Sequence, residues 1–316
     1  MIDLEAILAQ QEPAIRRGFL LMVEQMRASV DLDELEQLLI EGRHQDALAL
    51  MMRAAPNIAT ASGVAFLAAA QATATQLGTE LGSIVIDYDI TNSAAVAAMQ
   101  ENKLSLVQGF SRQQTEATQQ AIISGIRDGI NPREQARRFR NSIGLTARQQ
   151  AAVENYERAL RNGSGDALDR ALRNKADDAA VRRAMRGGEA LSEARIRRMV
   201  EQYRKRMIAH RATTIARTEA LRSVHEGSEA MLQQAIADGT LAADEIEREW
   251  LTSKDERVRG SHRTMHRQRR EVGVPFTSGN GISLMRPGDA RAPAREVINC
   301  RCRVVLRIRV PALEQT

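Results

Sequence analysis

The chain has 316 residues, a net charge of +5 and only 3% aromatic residues, so aliphatic side chains and alanine must supply most of its core. It lacks a run of about 18 apolar residues, which excludes a predicted membrane-spanning helix. Its N-terminal sequence does not have the basic and apolar regions of a signal peptide. The two cysteines are too few for a disulfide scaffold and predict folding in a reducing cytoplasm.

The charge is unevenly distributed and divides the sequence into three predicted regions. Residues 1–130 carry a net charge of −8 and are predicted to form an acidic N-terminal helical region. A net charge of +9 lies within 131–210, and we expect a basic helical middle region over 131–204. Residues 205–316 are predicted to form a small C-terminal domain. Such a charge asymmetry indicates either that the chain binds two different partners or that these are ordinary solvated helix faces.

Helical periodicity dominates the first 240 residues. The stretch "DLDELEQLLIEGR" places Leu32, Leu35, Leu38 and Leu39 on one face of a predicted helix. The alternating pattern of "SIVIDYDITN" predicts an extended segment over 83–92.

Capping sequences mark two helix starts. In "GINPRE", Asn131 is the predicted N-cap and Pro132 occupies the first helical position. In "LTARQ", Thr146 is the predicted cap and Gln149 stands where a capping box requires it.

Glycine-rich breaks at 161–166 and 186–189 precede a long helix predicted from about Glu193 to Ile236. After it, strands are predicted at 245–252 and 301–310, the second with a basic face. The chain is therefore predicted to be mainly α, with an N-terminal helical body of long helices followed by a small C-terminal α+β domain.

The residues that could bind a metal ion lie in the last third of the chain. His262 and His266 are four positions apart in "SHRTMH", which places them on one face if that stretch is helical. Cys300 and Cys302, two apart in a strand, point to the same side. Two histidines and two thiolates would form a tetrahedral zinc site, whereas unreactive cysteines are often core residues and neighbours two apart form a disulfide poorly. We expect no cofactor, with zinc on these four residues as the alternative.

Five segments follow one another here: "ARTEALRSVHEGSE" (216–229), "WLTSKDERVRGSH" (250–262), "PFTSGNG" (275–281), "RPGDARAP" (286–293) and "EVINCRCRVV" (296–305). In this order they resemble the phage Mu F-like minor head proteins, or phage head morphogenesis proteins, over about residues 205–310. The resemblance implies a structural minor head protein of a tailed bacteriophage. It further implies that a few copies of the protein lie at the portal vertex of a procapsid, which is assembled in the host cytoplasm. The implied roles are head morphogenesis, DNA packaging and genome delivery, without established catalysis.

These segments contain the expected fold-signature residues, which are Trp250, Asp255, Arg257, His262, Asn299, Cys300 and Cys302. Trp250 is expected to anchor the small core. Asp255 is expected to join Arg257 and His262 in a hydrogen-bonded network, or simply to tie its own loop. Asn299 is expected to hold the turn into the last strand through its side chain.

Three functions remain open at this stage. The first is an assembly protein, not an enzyme, that binds the portal protein and major capsid or scaffold proteins, contacts DNA phosphates non-specifically and meets no membrane in the assembled head. Its candidate DNA or portal contacts are Arg197, Arg198, Arg204, Lys205, Arg206, Arg303, Arg307 and Arg309. The second is a metal-dependent virion enzyme, a nuclease or transferase, using His262, His266, Cys300 and Cys302. The third is a capsid scaffold that binds only proteins.

Overall fold

The computed structural model describes residues 4–52, 75, 109–110, 112–121, 123–124, 129–187 and 189–308. The predicted extended segment at 83–92 and the candidate contact Arg309 lie outside these residues. Within them the chain is mainly α-helical, with a few antiparallel strands near the C-terminal end, as predicted. Among the described helices, none combines the length and the apolar character that crossing a membrane requires.

The chain folds into two compact units, each assembled from segments that are distant in sequence. Among the described residues, the first unit contains 4–18, 75 and 214–308, and the second contains 19–52 and those between 109 and 213. Helices α1 (Leu4–Ser29) and α7 (Glu193–Ala237) contribute residues to both units. The predicted boundaries after residues 130 and 204 rest on charge and motif content, and they stay predictions.

The second unit is built from helices. Besides its parts of α1 and α7 it contains a helical segment at 112–121, α2 (Leu32–Ile40), α3 (His44–Met52), α4 (Pro132–Ser142), α5 (Ala147–Arg161) and α6 (Asp178–Met185), with 3₁₀ turns at Gly165–Ala167 and Lys175–Asp177. Aromatic pairs contribute to its core: the rings of Phe19 and Phe110 meet edge to face at 5.9 Å, and those of Tyr156 and Tyr203 lie 4.5 Å apart.

The helix caps, helix ends and apolar stripe predicted for this unit are confirmed. The Asn131 side chain accepts a hydrogen bond from the Glu134 amide at 2.9 Å, and Thr146 and Gln149 form the predicted capping box. Each cap satisfies backbone amides that the first helical turn leaves free. Helices α5 and α6 end where the glycine-rich breaks were predicted. The apolar face predicted for α2 is buried at Leu35, Leu38 and Leu39.

The first unit places short strands and one-turn helices beside the C-terminal half of α7. After a 3₁₀ turn at Ala243–Glu245, its elements are β1 (Ile246–Leu251), α8 (Gly260–Arg263), β2 (Arg269–Glu271), β3 (Phe276–Thr277), β4 (Ser283–Leu284), α9 (Ala294–Val297) and β5 (Arg303–Ile308). One antiparallel sheet has the order β2-β1-β5, and β3 pairs with β4. Both predicted strands are confirmed as β1 and β5.

Trp250 on β1 lies at the centre of this unit's core and is fully buried, as predicted. Its ring meets Phe276 at 5.2 Å and the imidazole of His262 edge-on at 5.6 Å. The same core contains Leu221, Met265, Leu284, Val297, Cys300 and Cys302. Residues from all five signature segments therefore meet in or around one core.

Arg248 occupies the same face of β1 as Trp250 and is also buried, which polarity alone did not predict. Its guanidinium donates hydrogen bonds to the carbonyl oxygens of Met285 (3.0 Å), Glu271 (3.2 Å) and Val274 (2.5 Å). These bonds offset much of the cost of burying the charge, and they fasten two segments to the central strand, one from Glu271 to Val274 and one at Met285.

Candidate functional site

A buried cluster in the first unit brings together three of the four predicted metal-ligating residues. The ligand atoms of His262, Cys300 and Cys302 all lie within 4.8 Å of one another. His262 Nδ1 lies 3.5 Å from the Cys300 Sγ atom and 3.5 Å from the Cys302 Sγ atom. Each of the three residues is at most 3% exposed.

Local backbone geometry explains why both sulfurs face the imidazole. His262 stands in the one-turn helix α8, and the two cysteines stand where the chain turns from α9 into β5. Asn299 adopts a left-handed conformation with φ of 56°, one of the few that a non-glycine residue such as asparagine tolerates. Its backbone amide donates to Thr218 Oγ1 at 3.1 Å, while its own Oδ1 has no hydrogen-bond partner among the described residues. The backbone of Asn299, rather than the predicted side-chain oxygen, thus makes the bond seen at this turn.

Glu296 orients the histidine. Its Oε2 atom accepts hydrogen bonds from His262 Nε2 (2.9 Å) and Ser261 Oγ (3.0 Å), and its Oε1 atom accepts one from Asn280 Nδ2 (2.8 Å). Burial alone would raise the pKa of Glu296, but the hydrogen bonds from Asn280, Ser261 and His262 lower it below its ordinary value. An ionised carboxylate at Nε2 assigns the proton to that nitrogen and leaves the Nδ1 lone pair facing the sulfurs.

The two thiols differ in acidity because they are hydrogen-bonded to each other. The side-chain hydrogen bond with Cys302 lowers the pKa of Cys300 well below its ordinary value, and the neighbouring His262 and the Cys302 backbone add to this effect. The bond with Cys300, together with burial, raises the pKa of Cys302.

His266, the fourth predicted ligand, lies outside this cluster. Its Nδ1 atom accepts a hydrogen bond from the Thr252 amide at 3.2 Å and lies 3.1 Å from Thr252 Oγ1. The prediction required His262 and His266 to share a helix face, but α8 ends at Arg263. The two imidazoles therefore have different surroundings, and the four-residue site is corrected to three.

Asp255 makes its contacts within its own loop and with Arg301. Its Oδ1 atom accepts hydrogen bonds from the Arg257 amide (3.1 Å) and Ser253 Oγ (3.2 Å), and its Oδ2 atom pairs with Arg301 Nε at 3.2 Å. Asp255 thus ties its own loop, the simpler of the two expectations. The carboxylate on His262 belongs to Glu296, which comes from a different signature segment.

A cavity of about 340 Å³ borders Cys300 and Cys302. His225 on α7 also lines it, and within the described part of the chain its Nε2 atom has no hydrogen-bond partner. Burial, with the nearby positive charge of Arg286, lowers the pKa of His225 to about 3, so this imidazole is neutral. The cavity therefore joins two thiols to a neutral, partly unsatisfied imidazole.

A basic groove of about 450 Å³ lies on the first unit. It is lined by Glu249, Leu251, Thr252, Lys254, His266, Arg267, Arg269, Arg303 and Arg307. Arg307 pairs with the buried Glu249, and Arg269 pairs with Glu247 at 3.4 Å. Lys254 and Arg267 are exposed on left-handed backbone positions. Five cationic side chains around one groove are a feature of anion-binding surfaces.

The predicted contact residues of α7 are not equally available. Arg197 and Lys205 are exposed, whereas Arg198 pairs with Asp177 at 3.1 Å. Arg206 is exposed but donates to the Arg173 carbonyl at 2.6 Å. Arg204, also a candidate contact residue, is the buried member of this set. Its side chain is only 9% exposed and pairs with Glu201, because it lies on the packed face of α7.

The family model of the Phage Mu protein F like proteins matches residues 116–305. This match covers more than half of the chain and includes all five signature segments, Glu296 and both cysteines. The chain therefore belongs to this family, whose association is with bacteriophage head morphogenesis and the virion. No match was found among curated proteins or among solved structures.

Proposed function

We propose that the chain is a structural minor head protein that attaches to the portal protein during procapsid assembly. Family membership over residues 116–305 is the observation that carries this proposal. In this role the chain stays at the portal vertex of a head assembled in the host cytoplasm. It contacts major capsid or scaffold proteins as well, and it acts in DNA packaging and genome delivery.

The contacts within the signature segments support a structural role. Trp250 fills the core, Glu296 accepts three side-chain hydrogen bonds, and Gly288 lies against the backbone of α7 at Arg222. These are packing and hydrogen-bonding roles that specify one fold. A signature made of such residues is expected of a protein that presents a rigid docking surface.

The proposed DNA contact is electrostatic. The basic groove offers Lys254 and Arg267 without a carboxylate partner among the described ion pairs, and α7 offers Arg197 and Lys205. Such side chains bind phosphates of any sequence and release counterions, so the affinity falls steeply with salt.

Pull-down of the full-length chain with its cognate portal protein tests the central part of the proposal. Nuclease-resistant binding is the expected result, because the proposed contact is protein to protein. Loss of binding after nuclease treatment would show that DNA bridges the two proteins. Absence of binding under both conditions would refute portal attachment.

Salt titration of DNA binding tests the second part. The double variant Lys254→Gln/Arg267→Gln should reduce the slope of log affinity against log salt by about 2 on duplex DNA, since each phosphate contact contributes about 0.9. The matched control is Arg291→Gln/Arg295→Gln, which removes the same charge from exposed positions outside the lining of the groove. Equal slopes for both variants would remove the groove from the proposal. Salt-independent binding would refute a contact made mainly through phosphates, and absence of binding at low salt would leave a scaffold that binds only proteins.

A further inference from the structure

We propose that Cys300, Cys302 and His262 bind a zinc ion, with Glu296 as the positioning residue for the imidazole. The site is independent of portal or DNA binding, and its test does not require either activity.

The two distances from the imidazole nitrogen to the sulfurs match those of a tetrahedral site. Zinc lies about 2.3 Å from a thiolate sulfur and about 2.0–2.1 Å from an imidazole nitrogen, so tetrahedral angles separate the nitrogen from each sulfur by about 3.6 Å. The two measured distances from His262 Nδ1 to the sulfurs are both 3.5 Å. Small movements of the three side chains would therefore be enough to accept the ion.

Glu296 gives the histidine the orientation that a ligand requires. Metal-binding histidines usually donate their other ring nitrogen to a carboxylate or carbonyl, which fixes the tautomer and makes the ligating nitrogen more basic. Here the Nε2–H group donates to Glu296, and Ser261 and Asn280 hold that carboxylate in place.

The surroundings supply an apolar shell and an entry path. Trp250 packs against the edge of the imidazole, and Met265 belongs to the same core. The cavity that borders both cysteines has room for a solvent molecule as the fourth ligand. On binding, both thiols lose their protons to solvent, while the neutral imidazole keeps its Nε2 proton.

Zinc would join parts of the chain that are far apart in sequence. His262 lies 38 residues before Cys300 and 40 residues before Cys302. The strands of this unit are between two and six residues long. Small domains with short elements often depend on a structural metal for stability.

Metal analysis of the full-length chain, expressed with added zinc and gel-filtered, is the direct test. We expect about one zinc per chain in the wild type and in His266→Gln, which has its imidazole outside the cluster. His262→Gln, Cys300→Ser and Cys302→Ser should lose most of the zinc. Glu296→Gln should bind zinc with about 10–100-fold lower affinity, as expected for a residue that orients a ligand.

A second measurement remains decisive if the cysteine variants do not fold. The native wild-type chain is alkylated with and without a zinc chelator, and the modified cysteines are identified by mass spectrometry. Protection of both cysteines until the chelator is added is the expected result. Substoichiometric zinc in the supplemented wild type would overturn the site. So would loss of zinc in His266→Gln, or selective alkylation of Cys300 that is independent of chelator, which would indicate a nucleophilic thiol instead.

Discussion

Replacing Gly288 with alanine should destabilise the first unit more than the same change at Gly273. The backbone is nearly the same at both sites, with φ of 81° at Gly288 and 83° at Gly273. A left-handed conformation costs alanine about 1–2 kcal/mol, so both variants lose a similar amount from backbone strain.

The surroundings of the two glycines differ, and this difference sets the expected magnitude. A Cβ atom at Gly288 would lie 3.0 Å from the Cα atom of Arg222 and 3.2 Å from its backbone nitrogen, whereas a Cβ atom at Gly273 would meet nothing within 4 Å. The atoms of Arg222 belong to the backbone of the long helix α7 and cannot move aside as a flexible side chain would. Overpacking of this kind costs about 1–3 kcal/mol, which is the expected difference between the two variants.

Urea unfolding of the full-length chain, followed by tryptophan fluorescence, measures this difference. Trp250 is the single tryptophan of the sequence and is buried in the first unit, so its signal reports on that unit. A single-unit probe is needed because a chain with two compact units need not unfold in one step. Equal destabilisation of the two variants within about 0.5 kcal/mol would refute the close packing of the "RPGDARAP" loop on α7.

The other predictions concern both units. Phe276→Ala should lower the free energy of unfolding by about 3–5 kcal/mol in the same fluorescence measurement, because its ring is buried in the core. The exposed control Val274→Ala should lower it by less than about 0.5 kcal/mol, and similar losses in both variants would contradict the described core. Thr146→Ala removes a capping box and should cost the second unit about 1 kcal/mol, measured by circular dichroism, whereas no change would argue against the cap. Hydrogen bonds from Arg173 lower the pKa of Asp178, so its stabilisation is present above the ordinary aspartate pKa and disappears as the pH falls through the lowered value. Thermal unfolding of wild type and Asp178→Asn should therefore differ at neutral pH and converge in acid; a gap that persists or widens in acid would be inconsistent with this assignment.

Features that depend on local sequence could be predicted. The caps at Asn131 and Thr146 use groups within three residues of each other, so their spacing alone identifies them. The long helix was predicted from Glu193 to Ile236 and extends to Ala237. The alternation of apolar and basic residues in β5 and the order of the signature segments can likewise be read directly from the sequence.

The site could be predicted only in part, because its decisive contacts join distant residues. His262 and Glu296 are 34 positions apart, and local spacing does not indicate that they meet. Its position at the start of "EVINCRC", close in sequence to both cysteines, is the only sequence feature that points to a role for Glu296 in the site. His266 was included on the assumption of a continuous helix, which ends at Arg263. The burial of Arg248 and Arg204 depends on neighbouring elements, which a charge pattern does not reveal.

Quantitative mass spectrometry of purified procapsids, assembled in infected cells with and without the portal gene, tests the proposed role most directly. The chain should be present in a few copies in portal-containing procapsids and missing from those without a portal, because attachment to the portal is its proposed route into the head. Equal incorporation in both kinds of procapsid, or absence from both, would contradict the proposed function.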